Sequence, residues 1–269
     1  MKRFALIGKD IQWSLSPAIH SYCFNALSLD AVYDIIDIDS ESRIPDVISK
    51  LKTGSLDGIN VTAPYKKDFI PYLDQLNPRA ESIGSVNCIY SNNGKLIGNN
   101  TDWFGFGQSL RDFNNFDNVI ILGGGGVVPA VLYYFETRNN FSIHIIGRNL
   151  KKIECFEKNN ISIYDFNNFD LDVENSIIIN TIPSTAKIDW SSVMYNINSQ
   201  PRFAMDLNYH LKATEFLNYF DSSVEIKNGL DMLIYQALMS LDIWFNQNLS
   251  ASINIKGLKK KLCEVYYDK

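Results

Sequence analysis

The feature that most constrains the fold is a run of glycines between an apolar segment and a helical pattern. Residues 119–122 are apolar, residues 123–126 are all glycine, and a helix is predicted to begin near Val127. A buried strand that leads through glycines into a helix is typical of the first βαβ unit of a nucleotide-binding domain. Because Val128 stands where the third glycine of the G-x-G-x-x-G pattern is expected, a purely structural glycine turn is the alternative.

Short β-branched segments alternate with helical periods on both sides of this turn. Before it, strands are predicted at 4–7, 31–38 and 58–61, an antiparallel pair at 86–90 and 95–98, and helices from Ser16, over 44–51 and over 103–113. From the turn onward, strands are predicted at 119–122, 142–146, 176–180 and 203–207, and helices over 230–247 and 255–266. This alternation predicts an α/β fold with an N-terminal mixed-sheet domain followed by a Rossmann-like, doubly wound domain.

Length and composition exclude several classes of protein. The chain has 269 residues, of which 46% are hydrophobic, and this is enough for two cores and argues against disorder. The formal net charge is -5 and no basic run exceeds the lysines at 259–261, so nucleic acid is not an expected partner. We find no segment suited to a signal peptide or a membrane span, and we expect a cytoplasmic protein without a membrane partner.

The cysteines and histidines are not spaced as a metal site. The four cysteines lie far apart, without a C-x-x-C pair, at Cys23, Cys88, Cys155 and Cys263. With only three histidines to complete a ligand set, we predict no metal and buried, unreactive thiols. His20 and His144 are predicted to pack against neighbours or lie at the surface rather than to act in catalysis.

Basic residues follow the second predicted strand of the nucleotide-binding unit. An acidic residue at this point typically binds the ribose hydroxyls of NAD. Here the segment is Gly147-Arg148-Asn149, with Lys151 and Lys152 one turn later. A group of cations suits a 2′-phosphate, so the position favours NADP, although solvated cations at the start of a helix are the alternative.

Polar side chains lie where predicted strands end in the first half of the chain. Lys66 follows the strand at 58–61, and Asp102 closes the segment Asn100-Thr101-Asp102. Ligands bind at the carboxyl edge of open α/β sheets, where a Lys–Asp pair can transfer a proton in step with hydride transfer. Considered alone, Lys66 has a solvated surface lysine as its alternative interpretation.

Six motifs spread over nearly the whole chain occur in a fixed order. They are Ser14-Leu15-Ser16-Pro17 with Ile19-His20, Asn60-Val61-Thr62-x-Pro64-x-Lys66, Gly84-Ser85-Val86-Asn87, Asn100-Thr101-Asp102, the glycine turn, and Asn228-Gly229-x-x-Met232-Leu233-x-x-Gln236-Ala237. Together these motifs resemble the shikimate dehydrogenase family. An ordered set of motifs is far more specific than any one of them.

The resemblance implies two domains and a substrate site. The implied substrate-binding and catalytic domain covers residues 1–102 and is completed by C-terminal helices at 235–269, and residues 103–234 form the NADP-binding domain. Lys66 and Asp102 are the implied catalytic pair. The residues that match the family's substrate-binding positions are Ser14, Ser16, Thr62, Lys66, Asn87, Asp102, Tyr209 and Gln236.

The same resemblance implies NADP as the cofactor. The matching cofactor-binding positions are Gly123, Gly124, Gly125, Gly126, Val127, Arg148, Asn149, Lys152, Leu207 and Gly229. The chain departs from the family pattern on either side of Arg148, at Cys88, in the loop at 180–184 and at residues 210–211. These departures concern the cofactor side, apart from Cys88, and leave the catalytic motifs intact.

The leading hypothesis is an NADP-dependent oxidoreductase that interconverts 3-dehydroshikimate and shikimate, as a monomer or homodimer. One alternative is a quinate/shikimate dehydrogenase that uses NAD or both cofactors, against which Arg148 and Lys152 argue. Another is a non-catalytic paralogue that binds shikimate, which the retention of Lys66 and Asp102 disfavours. The absence of a ribose-binding acid argues against a Rossmann methyltransferase.

Overall fold

The computed structural model describes residues 1–138, 141–209 and 213–267, and the chain divides into two units. The first unit comprises Met1–Gly105 and Leu233–Lys269, and the second comprises Phe106–Met232. The departure from the family pattern at residues 210–211 lies outside the described residues. Among the residues that are described, no helix combines the length and the apolar character that a membrane span requires.

The first unit is built on a mixed sheet. Its strands are β1 (Lys2–Gly8), β2 (Ala31–Asp37), β3 (Gly58–Val61), β4 (Gln75–Leu76), β5 (Cys88–Asn92) and β6 (Lys95–Asn99). Its first helices are α1 (Ser16–Ala26), α2 (Ile44–Lys52), α3 (Pro78–Ile83) and the start of α4 (Asp102–Ser109). The strand order is β2-β1-β3-β5-β6-β4, in which β5 runs antiparallel to both of its neighbours and the other pairs are parallel.

Apolar spacing explains why these segments form their elements. Helix α2 carries apolar side chains three and four residues apart, and Ile44, Val47 and Leu51 are buried in the same cluster as Ile59 of β3. All four residues of β3 are buried, as expected for a central strand that is covered on both faces. The polar residues that follow β3 and precede β5 are thereby brought to one edge of a rigid sheet.

The second unit contains a parallel sheet. Its strands are β7 (Asn118–Leu122), β8 (Ser142–Gly147), β9 (Ile161–Asp165), β10 (Ser176–Asn180), β11 (Phe203–Asp206) and β12 (Glu225–Asn228). Its helices include α5 (Val128–Glu136), α6 (Leu150–Ile153) and α7 (Trp190–Tyr195). Helix α8 (Leu230–Phe245) begins in this unit and continues into the first, to which α9 (Ile255–Tyr267) also belongs. The strand order β12-β11-β10-β7-β8-β9, with every pair parallel, is that of a doubly wound nucleotide-binding fold. Such folds bind ligands where the strand order reverses, which here is between β7 and β10.

The predicted α/β architecture is confirmed, and two strands, β3 and β10, have the predicted bounds. The helix predicted over 103–113 is too long, because α4 ends at Ser109. Leu110, Phe113 and Phe116 continue the apolar spacing in an irregular segment and are buried in the core of the second unit. The ring of Phe113 stacks on Phe203 at 4.4 Å between centroids. These residues are apolar because they pack in the core, and their spacing therefore made the predicted helix too long.

The predicted antiparallel pair forms with a shorter turn than expected. Strand β5 begins at Cys88 instead of residue 86, and the pairing extends to Asn92 opposite Lys95. The turn consists of Asn93 and Gly94, whose φ angles of 51° and 76° are both positive. An Asn-Gly pair with two positive φ angles is the preferred two-residue connection between antiparallel strands.

The prediction of four buried thiols is wrong for two of them. Cys23 and Cys88 are buried, but Cys155 is exposed and Cys263 is partly exposed. Cys155 lies in a single turn of 3₁₀ helix after α6, where its Sγ contacts the Lys152 carbonyl oxygen at 3.6 Å. Short surface turns leave such a side chain in solvent.

Candidate active site and nucleotide-binding loop

An ion pair joins Lys66 and Asp102 in the first unit. Lys66 Nζ lies 2.5 Å from Asp102 Oδ2, and the two side chains are only 15% and 8% exposed. Lys66 follows β3, and Asp102 is the first residue of α4, where the helix dipole favours a carboxylate. The tertiary structure thus brings together the two residues that the sequence proposed as an acid–base pair.

Asn87 orients the carboxylate of this pair. Its Nδ2 donates to Asp102 Oδ1 at 2.8 Å, while its Oδ1 accepts from the Thr101 backbone N–H at 2.7 Å. With Oδ1 held by Asn87, Asp102 presents Oδ2 to Lys66. Gln236 on α8 joins the same group, because its Oε1 lies 3.4 Å from both Asn87 Nδ2 and Thr101 Oγ1.

Backbone hydrogen bonds hold the segments that carry these side chains. The Val86 N–H donates to the Lys66 carbonyl at 2.9 Å, and the Asn87 N–H donates to the Asn99 carbonyl at 3.0 Å. Asn100 Oδ1 accepts from the Asp102 N–H at 3.0 Å, which places Asp102 at the start of α4. The site is therefore fixed by hydrogen bonds between the segments that adjoin β3, β5 and β6.

Ser14 and Ser16 lie beside each other at the beginning of α1. Their hydroxyl oxygens are 3.2 Å apart, and the Ser16 N–H donates to Ser14 Oγ at 3.2 Å. The preceding loop is held by Asp37 at the end of β2, whose carboxylate accepts from the N–H groups of Asp10 at 3.1 Å and Ile11 at 3.2 Å. Two adjacent hydroxyls near a helix N-terminus suit a carboxylate ligand.

Thr62 and Tyr209 occupy ends of strands in different units. Thr62 directly follows β3, is partly buried, and donates its N–H to the Ile7 carbonyl at 2.8 Å. Tyr209 follows β11 in the second unit and is also partly buried. The substrate contacts of both residues stay predictions.

The glycine turn after β7 presents backbone N–H groups. Gly123 has a φ of +107°, which favours glycine, and its N–H donates to the Ile146 carbonyl at 2.8 Å. Within the described parts of the chain, the N–H groups of Gly124, Gly125 and Gly126 donate no hydrogen bond. Next along the chain, Val127 directly precedes α5. Unused N–H groups ahead of a helix N-terminus suit an anion such as a pyrophosphate.

Exposed cations follow β8, as the sequence predicted. Arg148 precedes α6, while Lys151 and Lys152 lie on it, and all three side chains are exposed. No carboxylate of residues 1–138, 141–209 or 213–267 forms an ion pair with any of them. Asn149 caps α6, because its Oδ1 accepts from the Lys152 N–H at 3.3 Å. A cluster of cations without carboxylate partners can bind a phosphate without first breaking an ion pair.

The backbones of Leu207 and Gly229 meet at the ends of β11 and β12. The Leu207 N–H donates to the Asn180 carbonyl at 2.9 Å, and the Gly229 N–H donates to the Asn208 carbonyl at 3.1 Å. A Cβ atom added to Gly229 would lie 2.0 Å from the Leu207 carbonyl oxygen. This close approach explains why glycine is required at position 229.

Comparison with known proteins identifies the family. A family model described as the shikimate dehydrogenase substrate binding domain matches residues 6–89. Over 250 residues, 91% of this chain and 92% of the relative, the sequence is 32% identical to shikimate dehydrogenase (NADP(+)) of Clostridium beijerinckii. This chain belongs to the shikimate dehydrogenase family. The resemblance inferred from the six motifs is therefore confirmed.

Two solved shikimate dehydrogenases have the same fold. The crystal structure of shikimate dehydrogenase 1 from Peptoclostridium difficile is 28% identical, with a TM-score of 0.81 over 100% of this chain and 99% of that chain. A shikimate dehydrogenase in complex with NADP+ is 27% identical, with a TM-score of 0.81 over 99% of this chain and 96% of that chain. This chain thus shares its fold with both of these structures.

The structure describes the surroundings of two departures of this chain from its family pattern. Cys88 is fully buried, and burial raises the pKa of its thiol to about 12, so it packs as a neutral side chain. In the loop at 180–184, Asn180 Oδ1 accepts from the Ile182 N–H at 3.0 Å, and Asn208 Nδ2 donates to the Ile182 carbonyl at 2.8 Å. The loop is therefore held by Asn180 at its start and by Asn208, which follows β11.

Sequence reasoning gave no role to three polar residues that contact the site. Thr101 touches both Asn87 and Gln236, and Asn60 donates to the Asn87 carbonyl. Both residues stand inside motifs quoted above, so the motifs themselves carried a signal. Ser240 lies one turn after Gln236 on α8, and its contact with Asn60 joins residues 180 positions apart, which no local pattern indicates.

Proposed function

We propose that this chain catalyses the reversible, NADP-dependent reduction of 3-dehydroshikimate to shikimate. The observation that carries the proposal is the Lys66–Asp102 pair, held at 2.5 Å among buried polar side chains in a shikimate dehydrogenase fold. Membership of the family and the NADP(+) in the name of the Clostridium beijerinckii relative support the reaction and the cofactor.

In this proposal the first unit binds the substrate. Ser14 and Ser16 bind its carboxylate, while Thr62, Asn87 and Gln236 bind the ring hydroxyls. The structure supports this with adjacent serine hydroxyls and with Asn87 and Gln236 in one group beside Asp102. A ring with several hydroxyls needs donors and acceptors at fixed positions, because a polar group left unpaired in a cleft costs about 1–3 kcal/mol.

Lys66 and Asp102 together handle the proton. When bound, NADPH supplies the hydride for reduction, and NADP+ accepts it in the reverse direction. As the carbonyl oxygen gains negative charge, the Lys66–Asp102 pair delivers a proton to it, and the same pair removes that proton during oxidation. Asn87 keeps Asp102 Oδ1 occupied, so that Lys66 Nζ is held by Oδ2 at one defined position.

The residues of the second unit fit NADP. Unused N–H groups in the glycine turn suit the pyrophosphate, and Arg148, with Lys152 and Asn149, suits the 2′-phosphate. The adjoining backbones of Leu207 and Gly229 are proposed to lie near the nicotinamide. We accordingly assign residues 1–102 and 235–269 to substrate binding and residues 103–234 to NADP binding, in a cytoplasmic monomer or homodimer.

A spectrophotometric assay tests the function. Purified protein is mixed with shikimate and either NADP+ or NAD+, and reduced nicotinamide is followed by its absorbance. Quinate replaces shikimate in a parallel series. We expect turnover with shikimate and a preference for NADP+ of at least about tenfold in kcat/KM, because charge-assisted contacts to the 2′-phosphate contribute about 1.5–3 kcal/mol each.

Two outcomes would favour the alternatives. Equal kcat/KM with NADP+ and NAD+, together with turnover of quinate, would favour a quinate/shikimate dehydrogenase. Shikimate binding in a calorimeter without turnover by either cofactor would favour a non-catalytic paralogue.

A further inference from the structure

A second layer of buried hydrogen bonds lies directly behind the catalytic group. Asn60 Nδ2 donates to the Asn87 carbonyl at 3.0 Å and to Ser240 Oγ at 2.9 Å. Its Oδ1 accepts from the Tyr33 hydroxyl at 2.9 Å. Asn60 is 4% exposed and Ser240 is fully buried, so none of these bonds competes with bulk water.

These contacts give the Asn60 amide one orientation. If the amide were flipped, Oδ1 would face the Asn87 carbonyl oxygen, and two acceptors would meet without a proton between them. In a buried site, a polar group left without its partner costs about 1–3 kcal/mol. The amide is therefore a fixed connector rather than a side chain that exchanges partners.

The connector joins the three segments that carry the site. Asn60 lies in β3, which leads to Lys66, and its first partner is the backbone of Asn87. Its second partner, Ser240, lies on α8 one turn after Gln236 and donates to the Gln236 carbonyl at 3.0 Å. Ser240 Oγ also lies 3.3 Å from Thr101 Oγ1, next to the residue that precedes Asp102.

We propose that the Asn60–Ser240 pair positions the substrate-binding and catalytic side chains without touching the substrate. The pair fixes α8 against the ends of β3 and β5, and so sets the distance between Gln236 and the group formed by Asn87, Thr101 and Asp102. Displacement of such groups by about 1 Å is enough to lower the rate substantially. This inference rests on the proposed function, since it assigns a role within that site.

The decisive experiment compares Ser240→Ala with Ser109→Ala. Both variants remove a fully buried helical hydroxyl that donates to a backbone carbonyl of its own helix, but Ser109 contacts Phe106 and Met205 in the second unit. We expect Ser240→Ala to raise the shikimate Kd about tenfold in calorimetry without cofactor and to lower kcat/KM for shikimate by a similar factor. The KM for NADP+ should not change, and Ser109→Ala should stay within about twofold of wild type in every measurement.

Two further variants separate positioning from folding. Ser240→Thr keeps the hydroxyl and should recover most of the shikimate affinity, whereas a purely steric role would not be rescued by it. Tyr33→Phe removes only the hydroxyl that orients Asn60, and should raise the shikimate Kd by about threefold. These two variants keep the proposal testable if loss of the Ser240 hydroxyl impairs folding.

The proposal is overturned if Ser240→Ala and Ser109→Ala have the same shikimate Kd, or if the Ser240→Ala loss falls equally on NADP+. The wild-type assay keeps this result distinct from failure of the proposed function. A wild type without turnover would refute that function, while the shikimate Kd of the two serine variants would still decide the positioning role.

Discussion

The two units of this member of the shikimate dehydrogenase family form their candidate sites in opposite ways. In the first unit, Lys66, Asp102 and Asn87 are joined to one another by short hydrogen bonds and largely removed from solvent. In the second unit, the turn that follows β7 is glycine alone, and Arg148 with its neighbouring lysines is exposed without an ion-pair partner among the described residues. The first site is formed by buried side chains that pair with one another, and the second by backbone N–H groups and exposed cations.

The two kinds of site differ in when their charged groups gain their partners, during folding or on ligand binding. Buried groups that already face each other have been desolvated during folding, so they need little rearrangement when charge develops in the reaction. Exposed cations gain their partner only when a phosphate binds, so they contribute affinity that salt weakens. We therefore expect substitutions in the first unit to lower kcat or shikimate binding, and substitutions in the second to change cofactor choice.

The largest expected effect is that of Lys66→Ala. We expect kcat to fall by at least about a hundredfold with little change in the KM for shikimate, because a positioned proton-transfer group contributes about 10²–10⁴ in rate. The matched control is Lys67→Ala, which removes the adjacent, exposed lysine and should leave kcat unchanged. A Lys66→Ala enzyme with wild-type kcat would remove this residue from the mechanism.

The next effect concerns cofactor choice. Arg148→Asp should abolish or reverse the preference for NADP+ over NAD+, because a carboxylate repels the 2′-phosphate and accepts hydrogen bonds from free ribose hydroxyls. The charge-assisted contact that is lost is worth about 1.5–3 kcal/mol. Arg138→Asp serves as the control, because it makes the same change of charge past the C-terminal end of α5, whereas the glycine turn precedes the N-terminal end of that helix. Equal loss of preference in both variants would show a general charge effect in place of a specific site.

A third prediction concerns the pH dependence of the free energy of unfolding, which a buried histidine of the first unit should control. His20 is fully buried and stacks on Tyr33 at 4.2 Å, and burial lowers its pKa to about 3. The unfolded chain, with a histidine pKa near 6.5, binds a proton that the folded protein excludes, so the free energy of unfolding falls as pH drops below about 6.5. From pH 7 to pH 5 this amounts to about 2 kcal/mol.

Urea unfolding at the two pH values measures this effect. His20→Leu should remove most of the acid-dependent loss that wild type shows between pH 7 and pH 5. His144→Leu is the control in the second unit, where the imidazole is half-buried and its pKa is lowered by a smaller desolvation. If His20→Leu loses as much stability between pH 7 and pH 5 as wild type does, His20 is not the group that titrates on unfolding.

The smallest effect is expected for Ser14→Ala. The loss of one hydroxyl from the pair at the start of α1 should weaken shikimate binding by about 1 kcal/mol, roughly fivefold. The NADP+ affinity should be unchanged, and calorimetry with each ligand separately measures both quantities. An equal weakening of NADP+ binding would contradict the assignment of substrate and cofactor to different units.

Local sequence determined the architecture of both sheets and most of the elements. Strands β3 and β10 have the predicted bounds because buried β-branched residues dominate each of them, and such short segments form central strands. The glycine turn after β7 likewise predicted a doubly wound unit, since a strand, glycines and a helix leave few other connections. The order of six motifs was sufficient to identify the family.

Short and polar elements escaped prediction. Strand β12 is an edge strand of four residues with no buried position, and its Ile226 is 47% exposed. Such a strand is specified by hydrogen bonds to β11 rather than by an apolar pattern of its own. The end of α4 also escaped prediction, because the buried apolar residues continue to residue 116 although the helix ends at Ser109.

The sequence by itself supplied Lys66, Asp102, Asn87 and Gln236 as members of separate motifs. Only the tertiary structure decided that Asn87 Nδ2 holds one oxygen of Asp102 while Lys66 Nζ takes the other. It alone placed Ser240 against Asn60 across 180 positions of the chain. Hydrogen bonds between distant residues depend on how sheets and helices pack, and packing is a property of the whole fold that no local pattern encodes.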